Sequence, residues 1–565
     1  MEKLNMLIKH LSFGIILAVL IFGINACNSN NKRDFNKIAK EVIKPQTNKV
    51  DIAKYKKVVY VSVSMEGKPV EGTKSKPLNS IKSALNNIKD ASANNRYAVF
   101  VAAGEYEEGT IKMKPSVDLY GGFNNKTWER DIQKYKTVLS GKTKQTGIKP
   151  WTNLSNKKIE KGRILIAADE CTIDGFTIMG GKIRGKGAGI LCDGVSPVIT
   201  NNVFLRNKTL KPIPWNPKYW HRTANDGGAI YCGNGASPII ENNYFINNQT
   251  ENGRGAGIAA ADNSKPVIKN NVFFKNVAGL DDPMRSSDGG AISIFNRCNA
   301  DIENNIILSN NALAHNDAGG LWLALWSSAK IKNNIFVDNQ AGDDAGAIFV
   351  GGQEHRYARP LDKMPPKSKF FISIEKNLIV GNRNASMNSG SMRFTMEGRG
   401  EFKNNITAQN NGIYFQRSEV NISGNTILDN FLLVETKSNL KEFKVTDNII
   451  WADYNQQVKA IVKNNNIKNN PAGSNNYSKV PKFRNDMEIL KIASSNYLLK
   501  EYITTMILLN KKLQKNELVN RIVKIDDKWS VIKSNDENTI TIWGNFSGAI
   551  SATVLPTYTV INKNK

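Results

Sequence analysis

Asp226-Gly227-Gly228-Ala229-Ile230, followed by Ser237-Pro238-Ile239-Ile240-Glu241-Asn242-Asn243-Tyr244-Phe245-Ile246-Asn247-Asn248, is a unit that the chain writes more than once. A looser copy follows as Gly255-Ala256-Gly257-Ile258 and Lys265-Pro266-Val267-Ile268-Lys269-Asn270-Asn271-Val272-Phe273-Phe274-Lys275-Asn276. Asp288-Gly289-Gly290-Ala291-Ile292 opens a third, closed by Ile302-Glu303-Asn304-Asn305 and Leu308-Ser309-Asn310. A short unit cannot bury its apolar face alone. Stacked copies can, so a tandem repeat predicts a solenoid before any local propensity is weighed.

Working outward, the second Asn of the pair recurs at Asn202, Asn243, Asn271, Asn305, Asn334, Asn377, Asn405, Asn425, Asn448 and Asn466, and Gly175 takes that place in the first copy. The short late intervals are one bare coil, and the longer ones are the same coil with loops inserted. Brief β-branched or aromatic runs alternate with Gly/Asn turns, which predicts an all-β parallel solenoid. Asn suits such turns because it tolerates the left-handed conformation and because stacked side-chain amides bond along the axis. The Asn ladder is therefore read as structural.

Upstream, Tyr60-Val61-Ser62-Val63, Tyr97–Val101 and Val117–Phe123 read as strands. Pro77–Leu85 opens a short amphipathic helix with Ile81, Leu85 and Ile88 on one face. The predicted divisions are a leader (1–26), a polar tether (27–56), a cap and first coils (57–145), the solenoid (146–470), and a last coil with a small β-module (471–565). Pro481-Lys482-Phe483 and Asn496-Tyr497-Leu498-Leu499 are read as last solenoid turns. Leu518–Ile525, Lys528–Lys533, Thr539–Trp543 and Thr557–Val560 are read as antiparallel strands of the module.

The leader carries Lys3 and Lys9, an apolar run from Leu11 to Ile24, and then Ile24-Asn25-Ala26-Cys27. This ending resembles the lipobox of bacterial lipoproteins, which implies cleavage before Cys27, acylation of its thiol, and a bacterial envelope location, outer membrane or cell surface. The formal charge of +27 favours anionic partners, but no Lys/Arg block with interleaved aromatics points to nucleic acid, and none is expected. Of the other four cysteines, Cys192 and Cys232 hold equivalent places, so stacked coils would set their backbones about 4.8 Å apart. A disulfide and a buried thiol ladder both stay open.

Gly-Gly-Ala-Ile paired with Phe-x-x-Asn, at Phe204–Asn207, Phe245–Asn248, Phe273–Asn276 and Phe336–Asn339, resembles the repeats of chlamydial polymorphic outer-membrane proteins. The broader resemblance, over about Tyr60 to Asn470, is to the pectin-lyase-like superfamily of right-handed parallel β-helices, in which a helix covers the N-terminal end. The first resemblance implies adhesion, although this chain lacks a C-terminal autotransporter barrel. The second implies polysaccharide cleavage.

Function on a scaffold sits in its loops. Lys208–Asn225 and Val277–Ser287 are inserted before the Gly-Gly strand, and Gln353–Lys369 after it, so this strand is expected to floor a groove. Alternation turns Ile190, Ile230, Ile258, Ile292, Leu321 and Ile348 inward, and Leu191, Tyr231, Ala259, Ser293, Trp322 and Phe349 outward. Tyr231, Trp322 and Phe349, with Trp215, Tyr219 and Trp220 of the first loop beside His221 and Arg222, form an aromatic-basic set suited to sugar rings bearing acidic groups. The alternative is that the loops fold back and these rings form a satellite core.

Asp226, Asp288, Asp317 and Asp344 recur just before the small residues, with Lys186 and Arg254 in the intervening coils. Three roles stand open: Ca²⁺ ligation by Asp288, Asp317 and Asp344; an acid/base pair drawn from the four carboxylates, with Arg222 as a further catalytic candidate; or turn capping and pairing with cations. Gly342-Asp343-Asp344 resembles the acid motif of polygalacturonase-type hydrolases, without the Gly-His-Gly that follows there. His221, His315 and His355 lack a motif around them, and Arg222, Arg356 and Lys363 are the candidate bases of a lyase. The expectation is a lipid-anchored envelope β-helix that binds an acidic polysaccharide or host glycan. The alternatives are a lyase or hydrolase acting on acidic polysaccharide, and a structural spacer.

Overall fold

The computed structural model describes residues 49–554 apart from 66–69, 142–161, 212–224, 282–286, 353–365, 367, 387–388, 435–442, 458–459, 469–472, 480–487 and 510. Each coil lays down strands in a fixed order. One coil runs Ile230–Gly233, Ile239–Glu241, Tyr244–Ile246 and Gln249–Thr250 before Ile258–Ala260 begins the next. Like strands pair in parallel from coil to coil, making a first, second, third and short fourth sheet of 12, 14, 13 and 7 strands among the described residues. Ile230, Ile258, Ile292, Leu321 and Ile348 stack in register down the first sheet and, with Ile190, are fully buried, as alternation predicts.

The Asn-Asn pair divides its labour. The first residue takes the left-handed turn conformation, as at Asn201, Asn242, Asn270, Asn304 and Asn333. The second is buried, and its side-chain oxygen accepts the backbone N–H of its counterpart one coil earlier. Asn243 N bonds to Asn271 Oδ1 at 2.9 Å, and Asn271 N to Asn305 Oδ1 at 2.9 Å. Two assignments are corrected. Thr177 pairs with Val203, so Gly175 matches the left-handed Asn201 and Phe176 holds the place of Asn202. The rung after Asn448 is Asn465, because Asn466 belongs to the following strand. A second ladder, of Asn207, Asn248, Asn276, Asn310, Asn339, Asn382 and Asn410, runs where the third sheet turns into the fourth. Inside the coil Phe204, Phe245 and Phe273 stack face to face, with centroids 4.8 and 4.7 Å apart. Cys192 and Cys232 are in register as free, buried thiols.

The helix Ile81–Asn87 closes the N-terminal end with Ile81, Ala84 and Leu85 buried. Glu108 accepts the Ile81 and Lys82 amides at 2.7 and 2.9 Å, which satisfies two of the donors that a helix start leaves open.

At the other end of the chain Glu488–Leu498, Ile503–Leu508, Ile522–Ile525, Lys528–Asn535, Thr539–Trp543 and Ser551–Val554 close into an antiparallel barrel. Asn496-Tyr497-Leu498 therefore belongs to the barrel's first strand and not to the solenoid, which corrects the reading of these residues as a last solenoid turn. Pro481-Lys482-Phe483 and Thr557–Val560 lie outside the described residues. The barrel has its own core, including Leu490, Met506, Val523, Ile532, Ile540 and Val554. It docks sideways: Ile503, Ile522, Val531 and Trp543 pack on Tyr244, Ile246, Phe274, Leu308 and Val337, which point out of the third sheet. Tyr244 Oη donates to Asn520 Oδ1 across this seam at 2.8 Å.

Candidate functional site

The corner between the fourth and first sheets stacks one charged residue per coil. Gly187 N bonds to Asp226 O, Gly227 N to Arg254 O, Gly255 N to Asp288 O, Gly289 N to Asp317 O, and Ala318 N to Asp344 O. The order is thus Lys186, Asp226, Arg254, Asp288, Asp317, Asp344. Charges alternate through the first four rungs, and Asp317 and Asp344 then extend Asp288 into a run of three acids. The next residue in each rung needs a left-handed backbone, found at Gly227, Gly255, Gly289, Ala318 and Ala345.

Carboxylates cap the next rung along the chain. Asp226 Oδ1 accepts Arg254 N at 2.9 Å, Asp288 Oδ1 accepts Asp317 N at 2.9 Å, and Asp317 Oδ1 accepts Asp344 N at 3.1 Å. Asp226 and Asp288 are buried, and Arg254 Nε lies 3.8 Å from Asp288 Oδ2. These two acids thus serve the backbone and a buried cation, and face no solvent.

The lower rungs differ. Asp317, Asp343 and Asp344 are half-buried, and one carboxylate oxygen from each lies within 4.8 Å of the others. Arg393 pairs with Asp344 and donates to Gln416 Oε1 at 2.7 Å. Of the metal ligands expected from sequence, Asp317 and Asp344 come together and Asp288 stays a rung away, where Arg254 partners it. Asp343 replaces it in the group, and its signal was the tandem Asp343-Asp344. Arg393 was legible as the next outward position after Phe349, with which it pairs in register. His315 is exposed, two residues before Asp317.

The expected aromatic floor is present but closed. Tyr231, Trp322 and Phe349 do point out of the coil, and Trp322 pairs with Phe349 on the next coil. Yet Trp322 and Phe349 are each 0% exposed and Tyr231 2%. They form a second hydrophobic cluster with Ala259, Phe295, Ala318 and Ala345, against which Leu325 and Met396 pack. The expectation that these rings stand open to a ligand is corrected, and the reason is local. The Tyr231 ring lies over Gly233 and the Phe349 ring over Gly351, where a Cβ would meet ring atoms at 2.5 and 2.9 Å. Arg254 lies across Phe295 and Trp322, 4.8 and 5.3 Å from their centroids, and Lys186 donates to Tyr231 Oη at 2.7 Å. Cation and aromatic thus satisfy each other inside the protein. Trp215, Tyr219, Trp220, His221, Arg222, His355, Arg356, Lys363 and Cys27 lie outside the described residues.

The sequence profile of a family described as the right-handed β-helix region matches residues 149–355. The chain is a right-handed parallel β-helix. Solved structures similar to it include the tailspike protein of E. coli bacteriophage HK620 in complex with a pentasaccharide, at 10% identity and a TM-score of 0.28, covering 88% of this chain and 93% of that one. A double mutant of the same tailspike is 11% identical with a TM-score of 0.29, covering 92% and 98%. No curated protein matches the chain in sequence. The β-helix here is the scaffold that aligns the charged rungs, and its coil-to-coil register sets their spacing.

Proposed function

We propose that this β-helix is an envelope lipoprotein, anchored through Cys27, that holds an acidic polysaccharide at its acidic corner through a bridging Ca²⁺. The observation that carries this reading is the convergence of Asp317, Asp343 and Asp344. Ca²⁺ takes about six to eight oxygen ligands, so three carboxylates leave positions for a uronate carboxylate and sugar hydroxyls.

Binding is favoured over cleavage by the state of the nearest cation. Arg393 is tied to Asp344 and to Gln416, which fixes its guanidinium as a donor to both, whereas a base must take a proton. The acids of the upper rungs are engaged in capping the backbone.

The test is retention of the purified chain on immobilised polygalacturonate, in salt concentrated enough to screen its +27 charge. Retention that needs Ca²⁺, and that Asp343→Asn abolishes, is the expected result. Retention indifferent to chelator sinks the bridge. Absorbance from new unsaturated uronate ends would make the protein a lyase instead. Cys27→Ser should move the chain from the membrane fraction to the soluble one.

A further inference from the structure

Where the barrel overhangs the first coils of the third sheet, the two bodies do not meet fully. A cleft of about 300 Å³ opens between them, lined on the solenoid side by Glu105, Lys136, Val138, Met179 and Leu205. On the barrel side it is lined by Lys500, Glu501, Lys533 and Trp543. We propose that this cleft binds a small organic anion, a carboxylate carried on a body the size of a sugar ring.

Three observations converge on that ligand. The first is charge. Glu501 is shared by two lysines, hydrogen-bonded to Lys136 and 3.7 Å from Lys533, while Lys500 pairs with Glu105 at 3.3 Å. Three cations against two carboxylates leave one positive charge facing the cleft. Burial and the neighbouring Lys136 pull the Lys533 ammonium down to about 8, against the attraction of Glu501. An incoming anion relieves that strain. The second is a donor without an acceptor. Trp543 is 2% exposed, and among the described residues its indole N–H has no hydrogen-bond partner. A ligand oxygen that reached it would satisfy a donor that the fold leaves unpaired. The third is shape. Val138, Met179, Val203 and Leu205 present apolar surface, and the volume lies at the lower end of the range for small-ligand sites. Arg206, donating to Leu499 O at 2.8 Å and lying 5.2 Å from the Tyr502 ring centroid, holds the 499–502 turn against the solenoid and so fixes the mouth.

The site is separate from the acidic corner, and a chelator distinguishes them. Calorimetric titration of the full chain with galacturonate, in the presence of chelator, is the test, with galactose and acetate as controls. Galacturonate should bind, and galactose and acetate should bind at least tenfold more weakly. Lys533→Gln should lower galacturonate affinity about tenfold or more, the scale of a lost charge-assisted hydrogen bond. Trp543→Phe keeps an aromatic ring, removes the N–H, and should weaken binding several-fold, with some loss of stability from the smaller ring in the seam. Affinity should fall as pH rises through about 8, where Lys533 gives up its proton; Lys136, Lys500, Glu105 and Glu501 are the other charged groups that line the cleft. No binding of galacturonate, equal binding of galactose or acetate, or an unchanged Lys533→Gln variant overturns the proposal.

Discussion

Asp429 occupies the rung after Asn410 in the second asparagine ladder, its carboxylate accepting the Asn410 backbone N–H and side-chain amide at 2.8 Å each. Every earlier rung puts a neutral amide there. Burial pushes the Asp429 carboxyl up to about 6, against the bonds from Asn410, where an unperturbed carboxylate sits at 3.8. The folded chain therefore keeps this proton over a range in which the unfolded chain has released it. Stability falls as pH rises from about 4 to about 6, and the penalty is complete above that. Asp429→Asn should raise the stability at pH 7.5 by about 2 kcal/mol and leave it unchanged near pH 3. Denaturant midpoints of both proteins at the two pH values check this, and an equal difference at both would remove the titration argument.

Asn271 shows what an interior rung is worth. Its Oδ1 accepts Asn243 N at 2.9 Å, and its Nδ2 donates to Ile240 O at 2.8 Å. Asn271→Ala leaves a buried donor and a buried acceptor without partners, a loss of about 2–4 kcal/mol. A shift of the urea midpoint corresponding to under about 0.5 kcal/mol would show that water replaces the amide.

Trp322→Ala should behave as a core mutation. The ring is fully buried and carries Arg254 at 5.3 Å, so truncation empties a cavity and strips a cation of its partner. A destabilisation of about 3–5 kcal/mol is expected. A stable variant that had lost polygalacturonate retention would instead restore Trp322 as a ligand platform.

Much of this was legible in the repeat, and the limits of legibility are physical. Alternation along Gly-Ala-Ile set Ile230 inward and Tyr231 outward, because a strand has only two faces. It says nothing about what lies beyond the outward face, so Trp322 read as open when it is covered. Gly175 was matched to the wrong asparagine because glycine and Asn201 meet the same left-handed turn, and only strand pairing tells the two positions apart. Asp288 was grouped with Asp317 and Asp344 by spacing alone, whereas Arg254, a coil away, takes it. The docking side did leave a mark in the sequence. Tyr244-Phe245-Ile246, Val272-Phe273-Phe274 and Ile306-Ile307-Leu308 are apolar on both faces, which a solvent-facing strand does not require.

That last pattern makes its own prediction. Phe245, Phe273 and Ile307 fill the solenoid, while Tyr244, Ile246, Phe274, Ile306 and Leu308 point away from it and are buried by the barrel. Removing residues 488–565 would uncover these side chains together, a contiguous patch of the kind that monomeric proteins rarely expose beyond a few hundred Å². The coils themselves are held by the asparagine ladders and the inner core, so the truncated chain should keep its far-ultraviolet β signature. It should also bind a hydrophobic dye and associate in sedimentation. The same outcome, in milder form, should follow Val531→Asp, which places a charge in the seam while leaving the chain whole. A truncated chain that stays monomeric and dye-silent would mean that the third sheet does not need its cover, and that polar contacts, those of Tyr244 and Arg206 and the Lys136–Glu501 and Lys500–Glu105 pairs, hold the barrel to the solenoid.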